Sequence, residues 1–241
     1  MLTVDRVGKR FGPIVALEGI SFTADSGIVA LAGPNGAGKS TLVRILSGAI
    51  LPSSGSVTLD GLDTANDSVS ARSLTGAVFE NAPIYPGMTV SQYLEFVARA
   101  RGYPKRTTRE RVERAIDSCA LGEVARRVTD HLSRRFRQRT ALAAALLHDP
   151  RLLILDEPSS GLDPVQLAEF WKLVKSFSEG RVIFISTHNM TEIERLDASV
   201  ILLNRGKILE KGTVAEILND ARSDNLTDAF VSLVSREALN G

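Results

Sequence analysis

Hydrophobic positions along the chain follow two rhythms. Three short runs rich in β-branched residues open it, LTVDRV, GISFTA and GIVALAG; the glycines between them read as tight turns, so this part predicts strands. In KSTLVRILSG the apolar residues shift to helical spacing, with Gly48 placed as a stop. SVTLDG and TGAVF predict further strands. From Thr89 to about His148 the pattern is helical, through TVSQYLEFVARARG, TTRERVERAIDSCA and LSRRFRQRTALAAALLHDP. Strand and helix then alternate: RLLILDE, PVQLAEFWKLVKSF, RVIFIST, a short helix from Asn189, ASVILLN and GKILEKG, closed by an amphipathic TDAFVSLVSREAL. Near-continuous apolar strands separated by a helix predict a buried parallel sheet. The pattern thus predicts an α/β fold in which a helical block, 89–148, is inserted between strand-rich flanks, 1–88 and 149–220, with a helical extension over 221–241.

Composition narrows the function classes. A net charge of +1 over 241 residues argues against a dedicated polyanion binder. Cys119 is the only cysteine, so neither an intrachain disulfide nor a cysteine-built zinc site is expected, and a reducing compartment fits. MLTVDRVGKRFG lacks the apolar core of a signal peptide, and no apolar run approaches the ~18 residues of a membrane span. Action at a membrane is therefore expected only through a partner.

The chemistry begins at GPNGAGKST, Gly33 to Thr41, where G-x-x-x-x-G-K-S follows an apolar strand and opens a helix. Gly36 and Gly38 let backbone N–H groups converge on phosphate oxygens, and the helix N-terminus adds positive character aimed at the same anion. Lys39 suits the β- and γ-phosphates, and the Ser40 hydroxyl suits Mg²⁺. At the end of LLILDEPSSGLDP, Asp156 suits an outer role toward Mg²⁺ and Glu157 suits polarising a water for in-line attack.

Taken together these segments resemble, from Phe11 to Gly212, the nucleotide-binding cassette of the ABC transporter family, a P-loop NTPase core with a mixed sheet, N-terminal antiparallel strands and an inserted helical subdomain. The resemblance implies ATP and Mg²⁺ binding by Gly33, Pro34, Asn35, Gly36, Ala37, Gly38, Lys39, Ser40 and Thr41, with Asp163 as a further nucleotide-site residue and His188 facing the γ-phosphate. It also implies adenine stacking on Phe11, with Val15 near the ribose. Glu80 stands where the family usually presents a glutamine to Mg²⁺. The signature L-S-G-G-Q is replaced by Leu132-Ser133-Arg134-Arg135-Phe136, so Ser133 keeps its place while both glycines are lost. Arg135 then brings a side chain where phosphate should nestle, unless its guanidinium supplies the charge itself. An impaired signature follows from the resemblance, with steady-state ATPase expected to rise when Arg134 and Arg135 are replaced by glycine.

Between Arg101 and Arg139 there are twelve Lys or Arg against five Asp or Glu. Pairs such as Glu110 and Arg114 account for part of this as a solvated helical face, and the lack of interleaved aromatics speaks against nucleic acid. The resemblance implies an ATPase that works with transmembrane permease subunits and a second cassette, cytoplasmic and peripheral at the inner face of the membrane. The alternatives are a low-turnover nucleotide switch and a soluble cassette ATPase uncoupled from transport.

Overall fold

A computed structural model describes residues 1–80 and 84–240. Positions 81–83, in the middle of the loop read after Glu80, and position 241, at the end of the expected C-terminal extension, lie outside the described residues.

Two sheets form the framework. The smaller is antiparallel in the order β2 (Ile14–Ala24), β1 (Leu2–Phe11), β4 (Ser54–Leu59), β5 (Leu62–Asp63). The larger runs β10 (Lys207–Thr213), β9 (Ala198–Asn204), β3 (Gly27–Ala32), β8 (Val182–Thr187), β7 (Leu152–Asp156), β6 (Thr75–Val78). Its strands are parallel except β10, which turns back antiparallel on β9. The uninterrupted apolar runs of β3, β7 and β8 arise because this sheet has a core on each face. Val29, Leu31, Ile154 and Phe184 point to one face, toward the antiparallel sheet and helix α1 (Lys39–Leu46). Ala30, Leu153, Leu155 and Ile183 point to the other, toward the helices.

A short helix α2 (Ser68–Ser73) precedes β6. Between β6 and β7 the described residues carry α3 (Val90–Ala100), α4 (Lys105–Ser118) and α5 (Arg134–Leu146), with single 3₁₀ turns at Gly122–Val124 and Thr129–His131. Thr89 and Gln92 make a reciprocal capping box that fixes where α3 begins. In α5 the residues Ala141, Ala143, Ala144 and Ala145 are buried, and their small side chains let the helix lie close to β6: a Cβ on Gly76 would meet the Ala145 carbonyl oxygen at 2.4 Å. After β7 come α6 (Pro164–Lys175), α7 (Met190–Ile193), α8 (Val214–Ala221) and α9 (Leu226–Asn240). Among the described residues no helix is long and apolar enough to cross a membrane.

Candidate functional site

The parallel register sets the site. β3, β7 and β8 end side by side, and the loops leaving them meet at the N-terminus of α1. The β3–α1 loop contains Gly36 at φ +80 and Gly38 at φ +108, backbone that side-chain-bearing residues avoid. A cleft of about 460 Å³ opens over this loop, lined by Val15, Asn35, Gly36, Gly38, Lys39, Ser40, Thr41, Glu80, Glu157 and His188, with Ile14 and Ala16.

Lys39 is buried at the floor. Its Nζ donates to the carbonyl oxygens of Gly33 at 2.8 Å and Pro34 at 3.2 Å, and lies 3.9 Å from Glu157 Oε1. Burial lowers its pKa, and the attraction of Glu157 and then Asp156 opposes that shift without cancelling it. Such a cation gains from an anion brought into the cleft.

Glu157 is the first residue past β7 and has φ +47, which turns its side chain away from the alternation of the strand. Ser186, on β8, ties the two acids together. Its hydroxyl donates to Asp156 Oδ1, while its carbonyl and hydroxyl oxygens accept the Glu157 N–H at 3.0 and 3.3 Å. The other Glu157 oxygen, Oε2, lies 2.8 Å from Nδ1 of the exposed His188. Lys39, Glu157 and His188 thus form a continuous polar chain along one wall.

Other residues singled out from the sequence lie around the cleft. Gly33 packs against β9: a Cβ there would sit 2.2 Å from the Leu203 carbonyl oxygen. Ala37 is buried, and its carbonyl accepts from Gly206 N–H at 2.9 Å. Gly33 and Ala37 therefore hold the loop in shape, and neither they nor the exposed Pro34 line the space above it. Phe11 sits at the tip of the β1–β2 hairpin, 48 % exposed, with Lys9 Nζ 5.1 Å from its ring; Ile14 and Val15 line the cleft instead. Asp163 caps α6, accepting from Val165 and Gln166 N–H at 3.0 and 2.9 Å. Ser133 caps α5 with a long bond from Phe136 N–H, 3.5 Å.

The signature-position arginines are engaged within the chain. Arg135 pairs with Glu169 on α6 at 2.8 Å; the phosphate it is expected to meet belongs to a second cassette. Arg139 shares that carboxylate at 3.2 Å. Arg134 reaches Ser160. Sequence reasoning did not find Ser186, Glu169 or the cleft position of Ile14, since no local spacing marks them.

The cleft also offers Mg²⁺ an oxygen set. Ser40 and Glu80 both line it, Asp156 lies behind Ser186, and hard oxygen donors of this kind suit that ion. Among the described residues there is no cluster of three His, Cys, Asp or Glu side chains.

The sequence profile of a family described as ABC transporter matches residues 17–160. The chain belongs to the ABC transporter ATP-binding family. A shorter match, residues 137–194, is to a family described as AAA domain, putative AbiEii toxin, Type IV TA system. The cassette is 36 % identical over 233 residues to the probable multidrug ABC transporter ATP-binding protein YbhF of Escherichia coli (strain K12), which covers 94 % of this chain and 40 % of that relative. The chain thus spans less than half the length of that relative. In three dimensions the cassette matches cbiO1 from Clostridium perfringens, part of the ABC transporter complex cbiONQ, with a TM-score of 0.83, 28 % identity and coverage of 91 % and 90 % of the two chains. It also matches the dimeric post-hydrolysis state of the ATP-binding cassette MJ0796 bound to ADP and Pi, with a TM-score of 0.77, 25 % identity and coverage of 88 % and 98 %.

Proposed function

We propose that the chain binds and hydrolyses ATP, as one of a pair of cassettes, to power transport by separate membrane-spanning subunits. The convergence of Lys39, Glu157 and His188 at the mouth of the glycine-rich loop carries this reading. The loop N–H groups and the Lys39 ammonium hold the β- and γ-phosphates. Glu157 accepts a proton from a water as its oxygen attacks the γ-phosphorus in line; the bond from that phosphorus to the β–γ bridging oxygen breaks, and ADP leaves with the bridging oxygen. His188 orients the Glu157 carboxylate and faces the γ-phosphate. Mg²⁺ would be held by Ser40, Asp156 and Glu80 and would neutralise phosphate charge. Val15, beside Phe11 on the hairpin, would meet the nucleoside.

Ser133 and Asp163 cap helices outside the chain's own cleft, which suits a role toward the nucleotide of a second cassette. The likeness to MJ0796, a dimer bound to ADP and Pi, and to cbiO1, part of a transporter complex, supports this reading. Tyr85 and Phe96, exposed and 5.2 Å apart beyond Glu80, offer an apolar patch for a permease segment. The working division is an α/β core (1–88 and 149–220) that holds ATP, a helical insertion (89–148) that carries the movement to the permease, and an extension (221–241). The place of action is the inner face of the cell membrane, peripherally, from the cytoplasm, with no nucleic acid partner.

Phosphate release and equilibrium ATP binding, measured on the full chain and on Glu157→Gln, test the reading. Loss of a general base predicts a turnover decrease of roughly 10²–10⁴-fold with ATP affinity retained. Equal turnover in the two proteins would remove Glu157 from the mechanism.

A further inference from the structure

Arg134 is the first residue of α5, yet its side chain leaves the helix for the turn that follows Glu157. Its Nη2 donates to Ser160 Oγ at 3.1 Å. The guanidinium also lies flat on Gly161, where a Cβ would come within 2.4 Å of Cζ, 2.5 Å of Nη1 and 2.6 Å of Nε. Gly161 has φ +72, so its backbone and its lack of a side chain both suit this cover. The turn is closed on itself by Ser160 N–H to the Glu157 carbonyl, 3.2 Å, and Leu162 N–H to the Ser159 carbonyl, 3.1 Å. Anything that holds Ser160 and Gly161 therefore also holds the carbonyl of Glu157. The same helix grips the following segment through Arg135 and Arg139, both on Glu169. Arg134, Ser160, Glu80 and Glu157 line one further cavity, of about 620 Å³, next to the nucleotide cleft.

We propose that Arg134 is a positioning residue for Glu157, acting from the helical segment through the Ser160–Gly161 turn. This rests on Glu157 being the base. It reverses, for Arg134, the sign expected from the sequence alone: removing the guanidinium frees the turn and slows hydrolysis. The effect falls on turnover and leaves ATP binding alone, because Arg134 is not among the residues lining the nucleotide cleft.

The experiment compares the full-length wild type, Arg134→Ala, Arg134→Lys, Ser160→Ala, the Arg134→Ala/Ser160→Ala double variant and Glu157→Gln with Mg-ATP. Arg134→Ala is expected to lower kcat roughly tenfold or more with KM for ATP within about twofold, since small misplacements of a catalytic group are costly. Lysine, which keeps a donor but not the flat cover, restores part of the rate. The double variant is no worse than Arg134→Ala, as two members of one contact should behave. Amide hydrogen exchange, which needs no turnover, should quicken over 158–162 in Arg134→Ala and stay unchanged in β3 and β8. An unchanged or raised kcat, or exchange over 158–162 equal to wild type, overturns the proposal. So does a kcat loss matched by an equal KM rise and a general fall in melting temperature. If Arg134→Ala fails to fold, Ser160→Ala carries the same comparison. Wild-type activity in Glu157→Gln would instead sink the assignment of the base, a result readable apart from the exchange data.

Discussion

Gly33→Ala tests the packing of the loop and, through Lys39, its hold on phosphate. The added Cβ would meet a backbone oxygen, Leu203 O, at 2.2 Å, with the Ala37 Cβ at 3.3 Å on another side. A carbonyl inside a strand has no rotamer by which to withdraw, so the loop and β9 must part by about an ångström. Overpacking of this kind costs about 2–3 kcal/mol. For a chain of this size that corresponds to a fall in melting temperature of roughly 4–12 °C. The disturbance reaches the nucleotide through Lys39, whose Nζ is held at 2.8 Å by the Gly33 carbonyl. A displaced lysine should weaken ATP binding about tenfold, or ~1.4 kcal/mol. Gly36→Ala is the matched control: no atom lies within 4 Å of its added Cβ, and only its φ of +80 opposes the change. Its stability cost is about 1–2 kcal/mol. Thermal unfolding with and without Mg-ATP measures both quantities. If Gly33→Ala melts within about 1 °C of the wild type, or no lower than Gly36→Ala, the packing argument is refuted.

Two further outcomes follow from buried titratable groups. Lys39→Met removes a cation whose pKa burial depresses, so the ligand-free protein should melt at the same temperature or higher, while the stabilisation by Mg-ATP disappears; calorimetry with and without ATP reads both. His148 is buried, donates Nε2–H to the Thr75 carbonyl at 3.1 Å, and is pushed down to about 4 by burial and then by the charges of Arg101 and Arg111. The unfolded chain therefore takes up this proton first, and stability falls as pH drops from 6.5 toward about 4; His148→Gln, which keeps a donor for Thr75, should flatten that slope in urea titrations across the window.

The glycine-rich loop was legible because its information is local: two glycines with φ above zero, a lysine and a serine fall within a few residues between a strand and a helix. The strand cores were legible for the same reason, since β3, β7 and β8 are apolar on both faces. Helix α2 was missed because SVSARS carries no apolar stripe and buries only Ala71. The tie from Ser186 to Asp156 spans 30 residues, and that from Arg134 to Ser160 spans 26. Pairings of that range are made by the sheet register and by helix placement, which no sequence window contains. The contacts of Arg135 with Glu169 and of Arg134 with Gly161 are of this long-range kind too.

Position 157 lies where the backbone prefers glycine or asparagine, yet it carries a glutamate with φ +47. The fold accepts a locally uncomfortable residue at the one point where strand β7 ends, and the surrounding bonds from Ser186 and His188 keep it from relaxing. With Glu157 as the proposed base, ruggedness and chemistry would pull in opposite directions at this residue.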